Sequence, residues 1–395
     1  MTLQDVLDDH AALASTRWSV AGRDLELATK IGVRGAPGLD PALAALAEAL
    51  GRGRAYLGSG PVLDATLSQG PLAAYARAEG IAARVLVSSA AARSAALASG
   101  TNEADVLDAL PWDLAPASEG EVWWRPPGDR GTARLEAELR AWARAITPDG
   151  VVWGLWHKEE GGNRAERFAS ELFEHVEIVN RASGWRLVSL RGPRSDAAAP
   201  VAWHDWEGPD GAMRSLVGTY AGRRVDPGTA VLLDATALPT APELSGARVL
   251  DLGCGTGLLA RRALAQGARE VIALDDDLAA VRSTRAALEA ASAEGRTDEL
   301  APSVIWSDLL AEAPRARDVD VVLMNPPFHV GRQVVGALSR AFVAAALTAL
   351  RPGGRLLMVA NRALPYERDL AAWATWRDVT PAGTKGFKVL DAQRH

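Results

Sequence analysis

The sequence predicts an α/β fold built twice: two tandem parallel sheets, each covered by helices on both faces. Three observations predict it. The chain has 395 residues, too many for one ordinary core and about right for two. Its C-terminal half alternates short apolar runs with helical stretches. Its N-terminal half repeats that order weakly.

In the C-terminal half, "ARVLDL" (Ala247–Leu252) is an apolar run ending in glycines, followed by the helical "LLARRALAQG". "EVIALDDD" and a helix through "LAAVRSTRAALEAASAEG" come next, then the strands "SVIWSD" and "DVDVVLMN". A helix, "VVGALSRAFVAAALTAL", closes on "RPGG", and "RLLMVAN" is the following strand. Near-continuous apolar strands separated by helices imply parallel pairing, with ligands beyond the carboxyl ends of the strands. In the N-terminal half, "ARVLVSS" (Ala83–Ser89) matches "EVIALDD", and "EVWWRPPGDRG" matches "DVVLMNPPFHVG". "LEAELRAWARAITPDGVVWGL" matches "LSRAFVAAALTALRPGGRLLMV". The stretch from Gly192 to Gly211 is rich in Gly, Pro, Asp and Ala and has no period, so it reads as a linker. The expected domains are residues 1–195 and 213–395, joined by a linker at 196–212. Trp123 and Trp124 in the first half are expected to point to opposite faces of one strand.

Composition narrows the function. At 48% hydrophobic and 23% charged residues the chain is globular rather than disordered. No apolar run is long enough to span a bilayer, and the acidic start "MTLQDVLDDH" lacks a signal peptide's basic and apolar regions. The single cysteine, Cys254, precludes an internal disulfide framework and fits a reducing cytoplasm. No spacing of His, Cys and carboxylates suggests a metal site. A net charge of −6 neither indicates nor excludes a nucleic-acid partner, because a local basic patch suffices.

Four segments carry chemistry. "DLGCGTG" (Asp251–Gly257) follows a strand and opens a helix, so its glycines let a ligand approach the backbone and the helix N-terminus. Its spacing is neither G-x-G-x-x-G nor a phosphate loop, which disfavours a nicotinamide dinucleotide or a nucleoside triphosphate. Asp275 ends the next strand, where a carboxylate can accept bonds from two ribose hydroxyls, while Asp276 or Asp277 can cap the helix that follows. Asp308, ending the strand after that, is placed to accept a bond from an adenine amine. Last comes "NPPF". Two prolines hold the backbone extended, so the Asn325 side-chain oxygen and the Pro326 carbonyl can both accept from one planar amine. Phe328 can stack on the base that carries the amine.

This ordered set resembles the class I S-adenosylmethionine-dependent methyltransferases, and "NPPF" resembles those that methylate exocyclic or amide nitrogens. "MNPPFHVG", "VANRALPYERDL" (Val359–Leu370), "TKGFKVLDA" (Thr384–Ala392) and "YAGRRVDPGTAVLLDAT" (Tyr220–Thr236) look like segments of the bacterial ribosomal RNA guanine-N2 methyltransferases, small-subunit type. The resemblance implies two Rossmann-like copies, the N-terminal one degenerate and the C-terminal one catalytic. It implies S-adenosylmethionine as cofactor, held by Asp251, Gly253, Gly255, Gly257, Asp275, Asp308 and Asn325. It implies Asn325, Pro326 and Phe328 as catalytic residues and Pro327, Phe328 and His329 as substrate contacts. The implied partner is ribosomal RNA within a subunit or assembly intermediate, met by a cytoplasmic monomer without membrane or metal. Other readings are a large-subunit guanine, an adenine amine, a protein glutamine amide, or a non-catalytic ribosome-assembly factor. Cys254 has no positioned base and reads as a small core residue. In the degenerate copy, Ser88 is expected at the place of Asp275, Arg125 at that of Asn325, and "YLGSGPVLD" (Tyr56–Asp64) at that of the glycine loop. Arg125 is there a candidate for meeting RNA phosphates.

Overall fold

The computed structural model describes residues 1–36, 38–194, 200, 202–293, 302–327, 329–330, 333–334 and 336–395. The chain divides into two compact units, Leu13–Ala202 and Met1–Ala12 with Trp203–His395. The first helix, α1 (Leu3–Ala11), starts on a capping box: Thr2 accepts the Asp5 N–H and Asp5 accepts the Thr2 N–H.

The Leu13–Ala202 unit opens with a hairpin of β1 (Ala14–Val20) and β2 (Arg23–Thr29), followed by α2 (Ala42–Gly51). Then come β3 (Val62–Ala65), α3 (Pro71–Ala78), β4 (Ala83–Val87), α4 (Ala90–Ala98), β5 (Val106–Asp108) and β6 (Glu119–Trp124). The unit ends with α5 (Thr132–Ala145), β7 (Ile146–His157), α6 (Gly162–Leu172), β8 (Phe173–Ala182) and β9 (Trp185–Pro193). Its sheet has the order β5-β4-β3-β6-β7-β9-β8, parallel through β7 and antiparallel beyond. Trp123 and Trp124 do point to opposite faces. Trp123 stacks on Trp153 with ring centroids 5.2 Å apart, while Trp124 packs among Trp142, Trp156 and Leu139. Each buried indole N–H finds a carboxylate, Glu121 and Glu138 respectively, both at 2.7 Å.

The other unit begins, after α1, with a hairpin of β10 (Trp203–Gly208) and β11 (Gly211–Leu216). It continues through α7 (Pro227–Ala235), β12 (Arg248–Leu252), α8 (Leu258–Ala265), β13 (Glu270–Asp275), α9 (Leu278–Ala293), β14 (Ser303–Trp306) and β15 (Val319–Met324). A small hairpin, β16 (His329–Val330) with β17 (Gln333–Val334), leads into α10 (Gly336–Ala349), β18 (Leu350–Asn361), α11 (Tyr366–Ala371), β19 (Ala374–Asp378) and β20 (Phe387–Arg394). The sheet order is β14-β13-β12-β15-β18-β20-β19, the same as in the first unit strand for strand. The order reverses between β12 and β15, which is where such sheets bind ligands.

Alternation along the strands assigns the faces. Val249, Val271, Ala273, Val321 and Leu323 face α7 and α8, while Leu250, Leu274, Val322 and Met324 face α10 and α1. Lys388 ties two of the segments quoted above: its buried ammonium donates to the Leu364 carbonyl and the Glu367 carboxylate, each at 2.6 Å.

Two expected boundaries are corrected. The expected linker at 196–212 already contains β10 and the start of β11. Residues 195–199 and 201 lie outside the described residues. Trp206 packs with Met213, Leu258 and Ala287 while charged residues alternate with it, and that mixture hid the strand period. Met1–Ala12 belongs with Trp203–His395, because Val6 joins the core of that unit. The connection from β14 to β15 contains no helix, and α1 helps to cover that face, its Val6 packed with Leu309, Leu310 and α10. Val6→Asp should therefore lower the thermal midpoint of the full chain by several degrees, since a carboxylate without a partner would enter the core. An exposed Asp9→Ala control should leave scanning calorimetry unchanged, and equal midpoints in all three proteins would place α1 outside the core.

Candidate active site

The glycine loop is a turn that needs glycine. Gly253, Gly255 and Gly257 all have positive φ, at 80°, 55° and 84°. A Cβ on Gly257 would stand 3.0 Å from the Thr284 Cα, whereas one on Gly255 would meet nothing within 4 Å. Gly257 is thus tied to helix packing, and Gly255 borders open space. The loop is anchored from three sides. Gly253 and Cys254 N–H groups donate to the Leu274 carbonyl at 2.9 Å. Gly255 N–H donates to Asp275 Oδ2 at 2.9 Å. The Thr284 hydroxyl donates to the Gly255 carbonyl at 3.1 Å.

Among the three consecutive aspartates the roles separate. Asp275 Oδ1 accepts the Asp277 N–H, and Asp277 caps α9 through the Ala279 N–H, both at 2.9 Å. Asp276 takes the Trp306 indole N–H on its backbone carbonyl. The carboxylate that meets the glycine loop is therefore Asp275. Asp251 is fully buried beneath the loop, with Oδ2 accepting the Ala260 N–H of α8 at 2.9 Å. It holds the loop and helix together rather than lining open space. Burial, reinforced by the Asp275 charge, pushes its carboxyl up to about 7. Burial, with the charges of Asp275 and Asp251 beside it, also drives the Cys254 thiol well above its ordinary value, which leaves it an inert core residue. Asp308 lies at the end of β14, and its Oδ1 is 2.8 Å from Nε2 of His10, both side chains buried.

Asn325 follows β15 directly. By alternation it points to the face of α7, and its Nδ2 meets two α7 groups, Thr229 Oγ1 at 2.9 Å and Asp226 Oδ2 at 3.2 Å. Asp226 is the N-cap of α7, accepting the Thr229 N–H at 3.0 Å, with Pro227 in the first helical position. Neither Asp226 nor Thr229 was singled out from sequence, although the Asp-Pro start of α7 was available as a signal. Pro326 is buried and Pro327 partly so. Phe328 lies outside the described residues, as does Gly331. His329 is described only as backbone in β16. Among the described residues, no group of His, Cys, Asp or Glu is placed to hold a metal ion.

Strand register aligns the two copies. Asp64 of β3 lies opposite Val85 and Trp123, as Asp251 lies opposite Ala273 and Leu323. Asp64 also caps its helix, accepting the Leu72 and Ala73 N–H groups at 2.7 and 2.9 Å. The counterpart of the glycine loop is therefore "DATLSQG" (Asp64–Gly70), not "YLGSGPVLD", with Thr66 and Ser68 in place of Gly253 and Gly255. The counterpart of Asp275 is Val87, buried and apolar, rather than Ser88, one residue further on. Arg125 does occupy the place of Asn325. It does not face outward to meet phosphates. It is buried, paired with Glu160 at 2.7 Å and Asp40 at 3.3 Å, and lies over the Trp185 ring at 4.5 Å.

Comparison with known proteins fits this geometry. The family model of the methyltransferase small domain matches residues 210–391. A ribosomal RNA small subunit methyltransferase C of Pectobacterium atrosepticum is 33% identical over 256 residues, covering 63% of this chain and 68% of that protein. The chain belongs to the ribosomal RNA small subunit methyltransferase C family. A ribosomal RNA large subunit methyltransferase G of Streptomyces avermitilis is 38% identical over 255 residues, covering 61% of this chain and 63% of that protein. The solved T. thermophilus 16S rRNA N2 methyltransferase, in complex with AdoMet and guanosine, covers 100% of both chains at 28% identity and a TM-score of 0.84. The chain spans just under two thirds of the length of the curated relatives it matches first. For this member of the methyltransferase C family, the likeness to the T. thermophilus enzyme extends over both copies of the sheet.

Asp251 supplies a test of how the loop is held. A carboxyl raised in the folded protein contributes stability that is fully present below its unfolded value of 3.8 and is lost as pH rises through about 7. Asp251→Asn keeps an acceptor for the Ala260 N–H and cannot ionise. Its thermal midpoint relative to the parent protein should rise from about pH 5 to about pH 7 and level off above that. A difference that stays constant across that range would refute the raised carboxyl.

Proposed function

We propose that this protein transfers a methyl group from S-adenosylmethionine to the exocyclic N2 amine of a guanine in small-subunit ribosomal RNA. The observation that carries the reading is the Asn325 amide. Its nitrogen donates to Asp226 and Thr229, so the end of the amide that they do not hold is the oxygen, and Asn325 follows the strand next to the one that carries the glycine loop. An amide oxygen there can accept from an amine.

The residues present fit the cofactor. The open side of Gly255 admits a close ligand, Asp275 offers a carboxylate beside it, and Asp308 ends the next strand. The cofactor supplies a methyl group on a positively charged sulfur. The chain's part is to place the acceptor. Asn325 Oδ1 and the Pro326 carbonyl accept the two amine hydrogens, which aims the nitrogen lone pair across the site. Pro327, Phe328 and His329 are the contacts assigned to the base, of which Phe328 and the His329 side chain lie outside the described residues. An amine held in this way would take the methyl group the cofactor supplies and release one proton to water. The guanine must leave its stack to reach this edge. The N-terminal copy is a degenerate, non-binding domain that supports RNA contact, with Val87, Thr66 and Ser68 where Asp275, Gly253 and Gly255 stand in the other. The setting is the cytoplasm, with a monomer acting on a ribosomal subunit or its precursor.

The 38% identical large-subunit relative favours a second reading, a guanine of the large subunit. Transfer of labelled methyl to purified small subunits, large subunits and protein-free RNA, followed by nucleoside analysis, decides between them. Label in N2-methylguanosine from small subunits is expected, and label in any other nucleoside rejects the reading. An assembly factor without chemistry would not bind the cofactor, which calorimetric titration reads directly.

Asp275→Ala should weaken cofactor affinity by about 10-fold or more, since a bond to a charged acceptor contributes roughly 1.5–3 kcal/mol. Asn325→Ala should nearly abolish turnover while calorimetry still finds the cofactor bound. Normal turnover in Asn325→Ala would remove the amide from the mechanism. The full chain should bind one cofactor per chain, and Asp275→Ala should not leave a second, unaffected site. Two sites per chain would mean that the N-terminal copy is not degenerate.

A further inference from the structure

The segment Tyr220–Thr229 lies behind Asn325 and does more than start a helix. Asp226 Oδ2 accepts from Asn325 Nδ2 at 3.2 Å and from the Thr229 N–H at 3.0 Å. Its Oδ1 accepts from the Tyr220 hydroxyl at 2.9 Å. We propose that Asp226 is the positioning residue of the acceptor half of the site, holding the Asn325 amide with one oxygen and Tyr220 with the other, so that the amide oxygen and the Tyr220 ring together face the incoming nucleobase. This rests on the reading above, that the acceptor is a base amine.

An ionised carboxylate only accepts hydrogen bonds, so it admits the NH₂ end of an amide and repels the oxygen end. Asp226 thereby selects one of the two near-equal orientations of Asn325, and the Thr229 hydroxyl at 2.9 Å completes the hold. The selected orientation is the one that can accept from an amine. Tyr220 is tied to the site through its hydroxyl. Its side chain is 53% exposed, while the hydroxyl is bonded to Asp226. Burial of that end and then the bond to Asp226 push the phenol well above its ordinary value, so it stays an O–H donor at any working pH. The result is an aromatic face fixed at one end and open to solvent, one carboxylate away from the amide. Such a face suits a base taken out of its stack. Arg223 and Arg224 are exposed in the same turn, where cations suit the phosphates flanking that base.

The first copy retains the same tie with different chemistry. Asp40, with Pro41 after it, precedes α2 as Asp226 and Pro227 open α7. Asp40 Oδ2 meets Arg125, the residue standing in place of Asn325. There the carboxylate neutralises a buried cation. In the second copy the same position orients an amide.

The test separates orientation from helix capping. Asp226→Ser can still cap α7 but is too short to reach Asn325, and Asp226→Asn keeps the length and an acceptor. Turnover on ribosomal RNA should fall by at least about 10-fold in Asp226→Ser, the cost of a lost charge-assisted bond, and recover in part in Asp226→Asn. Cofactor affinity and thermal midpoint should stay close to those of the parent protein. Tyr220→Ala should raise KM for RNA by about 5-fold or more, and Tyr220→Phe, which keeps the ring, should do so less. Parent-like turnover in Asp226→Ser overturns the proposal. So does loss of cofactor binding in step with turnover, which would make Asp226 a folding residue. If the parent protein methylated no RNA, the functional reading would fail, yet the Asn325 side-chain amide signals in nitrogen–proton NMR still decide the positioning. Slow exchange in the parent and fast exchange in Asp226→Ser supports it, and identical signals refute it.

Discussion

A buried carboxylate under the first turn of a helix holds the start of each sheet. Asp251 accepts from Ala260 nine residues on, and Asp64 accepts from Ala73 at the same separation. The bond satisfies a helix-start N–H that the fold would otherwise bury without a partner. It also fixes where the chain turns out of the strand and back into the helix, so the loop between them has little freedom. What the loop then does depends on what fills it. Three glycines with positive φ form its turn, and Gly255 leaves its outer side open beside Asp275. Thr66 and Ser68 put side chains where the second copy has none, and Val87 removes the facing charge. One scaffold bond thus underlies two loops of different composition.

Alternation along the strands distributes the remaining groups. Because Leu323 faces α7 and Met324 faces α10, Asn325 must return toward α7, where Asp226 and Thr229 wait. A shift of one residue in β15 would send the amide to the other face and leave Asp226 without it. The same arithmetic applies in the first copy, where Trp123 and Trp124 divide between the faces and Arg125 arrives at Asp40.

Much of this was legible in the sequence, and what was missed has physical causes. The βα alternation and the duplication could be read because the strands are continuous apolar runs and the helices keep a 3.6-residue period. The glycine loop, Asp275 and Asn325 could be read because each is a local pattern at a strand end. The partners of Asn325 could not, since Asp226 is 99 residues away and only the packing of α7 brings it there. The His10 contact with Asp308 spans 298 residues and depends on α1 packing in a core that its sequence neighbours do not share. The counterpart of Asp275 was placed one residue late because a polar Ser88 looks like the natural substitute for an acid. Only strand pairing shows that Val87 holds that position.

The position of Asn325 holds a different group in the first copy, within the same strand order. Replacing an amide with arginine at a buried strand end would ordinarily be costly, because a guanidinium leaves water only with partners. Here Asp40, just before α2, accepts the Ala42 N–H and meets Arg125, and Glu160 and the Trp185 ring complete the enclosure. A carboxylate ahead of a helix thus meets an amide in one copy and a guanidinium in the other. The carboxylate is therefore the more durable half of the pair. Its own bond to the helix start holds it in position, and the strand end opposite it carries an amide in one copy and a guanidinium in the other.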